Sequence, residues 1–301
     1  MQAIIIQPRK PLQYAPITTG RELAHCLVAN MPLHTLIATE LVRAGFEIIE
    51  ESQSNGHTVR LPLDHWIEVG ALCMLARATT PTQLVDSNGD IVAWVGSARS
   101  EDCTEKMITE APCFRISYSW DLLTLNEEVL DAIPESEILG EVSKLTEING
   151  KLHLGKGSKI LPGVVIEGNV VIGENCKIGP NAYIRGNTSI GDNCTIGNAV
   201  EIKNSAIYPN TRISHLSFVG DSIIGSFVNI GAGTIISNYR HDARNHRSMI
   251  DGKLIDTGRD KFGSIIGDGV STGINTSVYP GRKIGKGRTT RPGAIVDKDL
   301  M

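Results

Sequence analysis

One aliphatic residue recurs every sixth position in the second half of this chain, and this period limits the folds that the chain can adopt. The unbroken series is Leu154, Ile160, Ile166, Ile172, Ile178, Ile184, Ile190, Ile196 and Ile202. Glycine follows many of these residues, so each hexad predicts a short strand closed by a tight turn. Three hexads make one triangular coil, and stacked coils bury an apolar core that no single coil can bury alone. The pattern therefore predicts a parallel β-helix.

The period slips by one residue at two places, which we consider candidate positions for a site. After Ile202 the inward positions become Ile207, Ile213, Val219, Ile224, Ile230 and Ile236. Changes of register often re-aim side chains. A polar and charged stretch then interrupts the repeat from Arg240 to about Phe262, and the repeat returns at Ile266. We expect this stretch to form a loop that leaves the coil, and long loops on a rigid scaffold often carry function.

The first 135 residues follow other patterns, which predict an α/β domain. The segment MQAIII predicts a buried strand, and residues 33–44 have the apolar spacing of a helix. LVDSNGDIVAWVG predicts two strands joined by a turn at Asn88-Gly89. SWDLLTLNEEVLDAI predicts an amphipathic helix that leads into a linker. We therefore expect an α/β domain over residues 1–135, a linker over 136–150 and the β-helix over 151–301.

Charge and hydropathy argue against several classes of partner. The formal net charge is -4, so no basic surface favours nucleic acid. No apolar stretch approaches the roughly 18 uncharged residues that a membrane span needs. The first residues lack the pattern of a signal peptide. We expect a cytoplasmic protein with neither nucleic acid nor membrane as a partner.

Four segments of the second half carry a family likeness: NAVEIKNSAI, SHLSFVGDSIIG, VNIGAGTIISNYRHD and KFGSIIGDGVSTGINTSVYPGRKIG. They resemble the acetyltransferase half of the glucosamine-1-phosphate acetyltransferase / N-acetylglucosamine-1-phosphate uridylyltransferases. They resemble still more closely the archaeal-type bifunctional sugar-1-phosphate nucleotidylyltransferase/acetyltransferases, which share the long polar insert. The resemblance covers about half the chain. It implies a left-handed coil, a homotrimer with sites between neighbouring coils, and acetyl-CoA as co-substrate.

The first half resembles the sugar nucleotidyltransferase domain of that family only in fragments, namely MQAIII, PLQYAPIT, ANMPL and SWDLLTLNEEVL. We read it as a reduced, nucleotidyltransferase-like domain. The family uses a glycine-rich loop after the first strand to cradle phosphates, and acidic residues to hold Mg²⁺. Here the first strand runs into QPRKPLQY, which contains no glycine. We therefore expect nucleotidyl transfer to be lost, with Mg²⁺ needed only if it survives.

The resemblance implies an N-acetyltransferase acting on glucosamine-1-phosphate or galactosamine-1-phosphate in nucleotide-sugar synthesis. His215 takes the family position of the general base, a role suited to a side chain that titrates near neutral pH. Glu201 matches a carboxylate that supports the histidine. Arg185 and Lys203 match the residues that hold the sugar phosphate, for which a forked guanidinium and a point charge are both suitable.

The remaining candidates match residues that contact the sugar, the acetyl group or the coenzyme. Phe218 stands where the family has a substrate-binding tyrosine, and Asn229 matches a sugar contact. Lys261 matches a lysine that a neighbouring subunit lends to the site. Ala232 is expected to present a backbone N–H to the thioester carbonyl, as oxyanion donors do. Asn238 and Tyr239 match positions near the acetyl group and the acceptor amine.

Departures from the family pattern leave other functions open. Phe218 lacks the family's hydroxyl, Ile274 replaces a polar residue near the coenzyme, and the chain stops at Met301 before the family's arginine segment. These departures favour a non-catalytic protein that binds sugar phosphate or serves as a scaffold, and residual nucleotidyl transfer is a further alternative. Zinc held by histidines, as in trimeric β-helical carbonic anhydrases, would need His215, His241 and His246 together. We expect no metal site.

Overall fold

The computed structural model describes residues 1–7, 14–54 and 57–301, which divide into two compact units. The α/β unit contains residues 1–7, 22–26, 31–54 and 57–117. The β-helix unit contains residues 14–21, 27–30 and 118–301. Within the described ranges, no helix is long and apolar enough to cross a membrane. The QPRKPLQY segment, on which we based the expected loss of the phosphate loop, lies outside the described residues at positions 8–13.

The α/β unit is built on a six-stranded mixed sheet. Its strands, in spatial order, are Glu47–Ile48, Gln2–Ile6, Val59–Pro62, Ile91–Val95, Thr82–Val85 and Glu105–Ile108. A second pairing joins Cys113–Arg115 to His65–Ile67, and the helices are Leu33–Arg43 and Val69–Leu75. The predicted first strand, the first helix and the hairpin at Asn88-Gly89 are all confirmed. Gly89 adopts a φ of 86°, a conformation that glycine reaches without a steric penalty.

The β-helix has three parallel sheets, which we call faces A, B and C. Face A contains Glu137–Ile138, Leu152–Leu154, Val170–Ile172, Thr188–Ile190, Ala206–Ile207, Ile223–Ile224, Ser264–Ile266 and Arg282–Ile284. Face B contains Glu141–Val142, Lys159–Ile160, Lys177–Ile178, Thr195–Asn198, Arg212–His215 and Asn229–Ile230. Face C contains Glu147–Asn149, Val165–Glu167, Tyr183–Arg185, Glu201–Lys203, Phe218–Gly220, Ile235–Ile236, Ser277–Val278 and Ile295–Val296.

The sixth-residue aliphatic series forms the core of this unit. Ile184, Ile202 and Val219 are partners in consecutive strands of face C, and all three are fully buried. Burial of such a side chain is worth about 1.5–3 kcal/mol, so the stacked series is the main source of stability. The expected architecture is confirmed: an α/β region followed by a left-handed parallel β-helix of hexapeptide repeats.

The segment expected to be a linker, 136–150, is instead the first coil of the β-helix. It forms the strands Glu137–Ile138, Glu141–Val142 and Glu147–Asn149, which pair with the next coil on faces A, B and C. Val142 and Ile148 continue the six-residue series back from Leu154, but Ile138 lies only four residues before Val142 and is out of phase with it. Val142 and Ile148 pack against the core, so the solenoid begins at residue 137.

The two register slips shorten a corner of the coil and leave the core intact. Ile190 pairs with Ile207, and Ile207 with Ile224, at separations one residue shorter than that between Ile172 and Ile190. All of these side chains remain buried. The missing residue comes from the corner between faces C and A. There, Asn204 and Asp221 adopt left-handed φ values of 47°, which Asn and Asp tolerate better than most residues.

The polar stretch between Arg240 and Phe262 leaves the coil as expected, but it is not an irregular loop. Its centre is an antiparallel hairpin of Arg247–Ile250 and Lys253–Asp256. A single bridge between Tyr239 and Lys261 closes its base. His246 is buried there and shares a hydrogen bond of 3.0 Å with the carbonyl oxygen of Asn238.

The predicted amphipathic helix is confirmed as Asp121–Asp131 and belongs to the β-helix unit. Its buried residue Asn126 donates to the carbonyl oxygen of Asn187 at 3.1 Å and accepts from the hydroxyl of Ser189 at 2.8 Å. Both partners lie at or beside one strand of face A. Hydrogen bonds of this kind satisfy a polar group that would be costly to bury alone. The helix therefore covers part of face A.

Candidate active site

His215 lies at the corner where face B turns into face C. It ends the strand Arg212–His215, and the strand Phe218–Gly220 begins just beyond the turn. Leu216 makes the turn with a φ of 49°, and the imidazole of His215 is exposed. In the next coil, the N–H of Gly233 donates to the His215 carbonyl oxygen at 3.3 Å. Ala232 therefore lies next to His215, and the Ala232 N–H has no acceptor within the described part of the chain.

The outward-facing side chains of face C form two columns that run across its strands. One column borders this corner, and the other lies two residues farther along each strand. Strand register stacks Tyr183, Glu201, Phe218 and Ile235 in the column nearer His215. The same register stacks Arg185 and Lys203 in the other column. Successive strands of a sheet are about 4.8 Å apart, so one phosphate group can contact both cations. Face C thus brings together Glu201, Phe218, Arg185 and Lys203.

The Glu201 carboxylate pairs with Arg185 and not with His215. Nε of Arg185 donates to Oε1 of Glu201 at 2.8 Å, and Nη2 approaches the same oxygen at 2.7 Å. The register partner of His215 is Asn198, which lies on the other side of the corner from Glu201. Among the described residues the His215 imidazole forms no hydrogen bond. The expected pairing of a base with an orienting carboxylate is therefore not present in this structure.

Lys203 and Asn238 meet at a buried carboxylate that the sequence reasoning missed. Nζ of Lys203 lies 2.9 Å from Oδ2 of Asp221, and Nδ2 of Asn238 donates to the same oxygen at 2.5 Å. Asp221 occupies the second shortened corner and is 1% exposed. The signal available in the sequence was its place in the second register slip, next to the inward residue Val219.

Tyr239 and Lys261 contact each other at the base of the hairpin. Nζ of Lys261 lies 3.3 Å from the centre of the Tyr239 ring, a cation–π contact. In this chain Lys261 is thus placed beside Tyr239 of its own β-helix. Asn229 is the one predicted sugar contact on face B, where it pairs with Arg212. It is separated from the face C residues by the corner that contains Ala232.

The three histidines considered for zinc occupy different environments. His215 and His241 are exposed, whereas His246 is buried in contact with the Asn238 carbonyl. Burial lowers the pKa of His246, and the charge of Arg240 lowers it further. Nowhere among residues 1–7, 14–54 and 57–301 do three or more His, Cys, Asp or Glu side chains gather in a way that could hold a metal ion.

A cavity of about 980 Å³ lies in the α/β unit. Buried Arg60, Asp64 and His65 line it, together with Arg115. Asp64 accepts from His65 at 3.0 Å and from Nε of Arg115 at 3.2 Å, and these partners hold the pKa of Asp64 below its ordinary value despite burial. The cavity makes this unit one candidate for a site. Face C and its corner with face B are the better candidate, because they carry a histidine, an N–H without an acceptor and two cations.

Comparison with known proteins identifies a family model and several proteins that this chain resembles in sequence. A family model described as the GMPPB C-terminal domain matches residues 166–286. A bifunctional sugar-1-phosphate nucleotidylyltransferase/acetyltransferase of Sulfurisphaera tokodaii is 42% identical over 185 residues, which are 62% of this chain and 46% of that protein. The bifunctional protein GlmU of Methanococcus maripaludis strain C7 is 49% identical over 185 residues, or 44% of its length. The chain thus spans about half the length of these relatives.

A solved structure also overlaps with the chain, though loosely. The Francisella novicida UDP-N-acetylglucosamine acyltransferase covers 52% of this chain and 63% of its own, with 19% identity and a TM-score of 0.25. A similarity this low says nothing about the site. The sequence relatives are much closer, and they bear out the resemblance seen in the hexad motifs. Over 62% of its length, this chain is similar in sequence to a bifunctional sugar-1-phosphate nucleotidylyltransferase/acetyltransferase.

Proposed function

We propose that the β-helix unit is an acetyl-CoA-dependent N-acetyltransferase that acts on an amino-sugar 1-phosphate, either glucosamine-1-phosphate or galactosamine-1-phosphate. One observation carries the proposal: Arg185 and Lys203 are stacked on face C, two residues along their strands from the column that borders the corner where His215 is exposed. Two cations fit a phosphate dianion, and an imidazole fits the proton of an amine. The acetyltransferase named among the relatives supports the same class of reaction.

Arg185 and Lys203 keep donors for a phosphate although both are paired with carboxylates. Glu201 takes Nε and Nη2 of Arg185, which leaves the N–H groups of Nη1 free of that contact. Asp221 takes one of the three N–H bonds of Lys203. The carboxylates thus hold the cations in place and leave their remaining N–H groups for another acceptor. A bound phosphate would add to these ion pairs without having to break them.

The chemical step follows from the corner that contains His215. The imidazole accepts a proton from the ammonium of the sugar, and the freed amine attacks the thioester carbonyl. The N–H of Ala232 stabilises the negative oxygen that develops on this carbonyl. The C–S bond then breaks and an amide remains on the sugar. The nitrogen loses two protons in all: the imidazole releases the first to water, takes up the second from the tetrahedral intermediate and passes it to the coenzyme A thiolate. In this account Asn238 and Tyr239 contact the acetyl group and the acceptor amine.

Exposed apolar residues support the expected trimer. Leu216, Ile235, Ile274 and Ile295 lie on face C or on its corner with face B, and each is at least 45% exposed. Exposed apolar side chains gathered on one edge of a protein are typical of contacts between proteins. We propose that a second copy covers this edge, so that the site lies between subunits with the partner's chain as its second wall. Light scattering of the purified protein should give a mass three times that of the chain, and a monomeric mass would contradict the proposal.

A thiol-release assay tests the enzymatic proposal. Purified protein is mixed with acetyl-CoA and, in turn, glucosamine-1-phosphate, galactosamine-1-phosphate and nucleotide-linked amino sugars. The proposal requires thiol release with at least one amino-sugar 1-phosphate and the matching N-acetylated product by mass spectrometry. The result opposed to it is binding of sugar phosphate without thiol release, which is the behaviour of the non-catalytic alternative favoured by Phe218.

Nucleotidyl transfer is the second alternative function, and the cavity in the α/β unit is the observation that favours it. The cavity offers Arg60 and Arg115 to an anionic ligand. The described residues supply no cluster of acidic side chains for Mg²⁺. We propose that this unit is a reduced nucleotidyltransferase-like domain without the transfer activity. Pyrophosphate release from a nucleoside triphosphate, Mg²⁺ and a sugar 1-phosphate would overturn this.

A further inference from the structure

A single buried carboxylate connects the two ends of the proposed site. Asp221 lies at the shortened corner between faces C and A, with a φ of 47° and 1% exposure. It receives donors from the coil before it and the coil after it. Buried carboxylates are costly unless such donors compensate the charge. The carboxylate of Asp221 therefore needs these partners, and it fixes their positions in turn.

The donors on Asp221 include two residues that the proposed function places on substrates. Oδ2 accepts from Nζ of Lys203 at 2.9 Å and from Nδ2 of Asn238 at 2.5 Å, while Oδ1 accepts from Nδ2 of Asn204 at 3.0 Å. Lys203 belongs to the phosphate end of the site, and Asn238 to the acetyl end. One carboxylate oxygen thus sets the distance between a phosphate ligand and an acetyl contact.

The same corner is braced from the other side by the helix Asp121–Asp131. Oε1 of Glu127 accepts from Nδ2 of Asn204 at 2.7 Å and from Nη2 of Arg259 at 2.5 Å. Arg259 lies in the stretch that follows the hairpin and precedes Lys261. Linked polar networks of this kind hold side chains more rigidly than isolated pairs do. The corner is therefore immobilised by groups that do not themselves face the substrate.

We infer that Asp221 is a positioning residue of the acetyltransferase site: it holds the Lys203 ammonium against the phosphate and the Asn238 amide against the acetyl group. This inference rests on the proposed function. It differs from a purely structural role, because a structural carboxylate would affect stability alone. A positioning carboxylate also changes how tightly the sugar phosphate binds and how fast the bound substrate reacts.

Asp221→Asn is the informative variant, because it removes the charge and little else. Asn has nearly the same shape and tolerates the left-handed conformation, so the corner keeps its backbone. With the amide oxygen at the Oδ2 position, Lys203 and Asn238 keep an acceptor without its negative charge and Asn204 faces an NH₂ group; with the amide turned, Lys203 and Asn238 both face that NH₂ group. Asp268→Asn is the matched control. Asp268 is paired with Arg21 at 3.0 Å at another corner of the same β-helix.

Two measurements are made on both variants in the full-length protein. Steady-state kinetics should show a KM for the amino-sugar 1-phosphate raised about 10-fold or more in Asp221→Asn, with a lower kcat, as expected when a charged hydrogen bond is lost. Competitive labelling of lysines by an amine-reactive ester should modify Lys203 several-fold faster in Asp221→Asn than in the wild type, relative to exposed Lys177. Asp268→Asn should match the wild type in both.

The two measurements separate this inference from the proposed function. A wild-type protein that releases no thiol contradicts the proposed function, and the labelling of Lys203 still shows whether Asp221 holds that amine. Unchanged labelling of Lys203 in Asp221→Asn overturns the inference, whatever the activity. Unchanged KM and kcat in an active Asp221→Asn variant also overturn it. A melting temperature lowered equally in both variants, with no difference in kinetics or labelling, would show a structural role only.

Discussion

Nε of Arg185 donates to the Glu201 carboxylate at 2.8 Å, and Nη2 of the same guanidinium lies 2.7 Å from it. The two residues are diagonal neighbours in adjacent coils of face C, because Arg185 is in register with Lys203 and Glu201 with Tyr183. The Tyr183 ring also contacts the guanidinium, whose central carbon lies 5.5 Å from the ring centre. Glu201 therefore supports Arg185, the proposed phosphate-binding cation, rather than His215.

Arg185→Gln should weaken substrate binding more than it slows the reaction. Loss of the forked cation should raise the KM for the amino-sugar 1-phosphate about 10-fold or more, with kcat changed only a few-fold, because a phosphate anchor acts alike in ground and transition states. Steady-state kinetics at saturating acetyl-CoA measures this. Lys177→Gln, which removes an exposed cation from face B, is the control. An unchanged KM would show that Arg185 does not contact the phosphate.

Ile202→Ala should destabilise the β-helix strongly. Ile202 is fully buried between Ile184 and Val219, and truncation of a buried isoleucine leaves a cavity that costs about 2–5 kcal/mol. Urea unfolding followed by circular dichroism measures the change. Leu145→Ala, at a side chain that is 72% exposed, should change stability by less than about 0.5 kcal/mol. Similar losses in the two variants would contradict a core built on the six-residue series.

Stability should fall on mild acidification because of His246. Burial lowers the pKa of His246 most, and the charge of Arg240 lowers it further. The hydrogen bond to the Asn238 carbonyl and the contacts with Asp260 raise it by less. The unfolded chain, with a histidine pKa of about 6.5, binds a proton more readily than the folded chain. The contribution of His246 to the free energy of unfolding is therefore fully present above about pH 6.5. It is lost as the pH falls towards the lowered pKa of His246 in the folded state.

The effect of His246 is measured as the free energy of unfolding between about pH 5 and 8, over which an ordinary histidine changes its charge. The wild type should lose stability below about pH 6.5 more steeply than His246→Gln, which cannot titrate. His241→Gln, at an exposed histidine, should follow the wild type. Equal slopes in the wild type and His246→Gln would show that this residue does not govern the pH dependence.

The β-helix could be predicted from the sequence because its repeat depends only on residues that are close together in the chain. Each inward isoleucine repeats after six residues, so the stack from Leu154 to Ile202 can be read without any tertiary contact. The helix Asp121–Asp131 and the turn at Gly89 were predictable for the same reason, since both depend on neighbouring residues. The first coil was missed although Val142 and Ile148 continue the six-residue series before Leu154, because Ile138 is out of phase with that series. Backbone pairing, which the side-chain pattern does not report, defines that coil.

The site was less predictable because its side chains compete for partners across coils. His215, Arg185 and Lys203 were placed by family resemblance, and the structure puts all three at or beside face C. The choice of Glu201 for Arg185 and of Asp221 for Lys203 depends on which outward side chains are adjacent after stacking. Asp221 carries no motif of its own. Its role is visible only when the shortened corner brings Lys203 and Asn238 to the same oxygen.

Thiol release by His215→Ala tests the central claim most directly. The wild-type protein, acetyl-CoA and the best amino-sugar 1-phosphate are compared with His215→Ala and with His241→Ala, a second exposed histidine of the same unit. Removal of the general base should lower the rate at least about 100-fold while the fold, followed by circular dichroism, stays intact. His241→Ala should retain the wild-type rate. A folded His215→Ala variant that releases thiol as fast as the wild type would contradict the proposed mechanism.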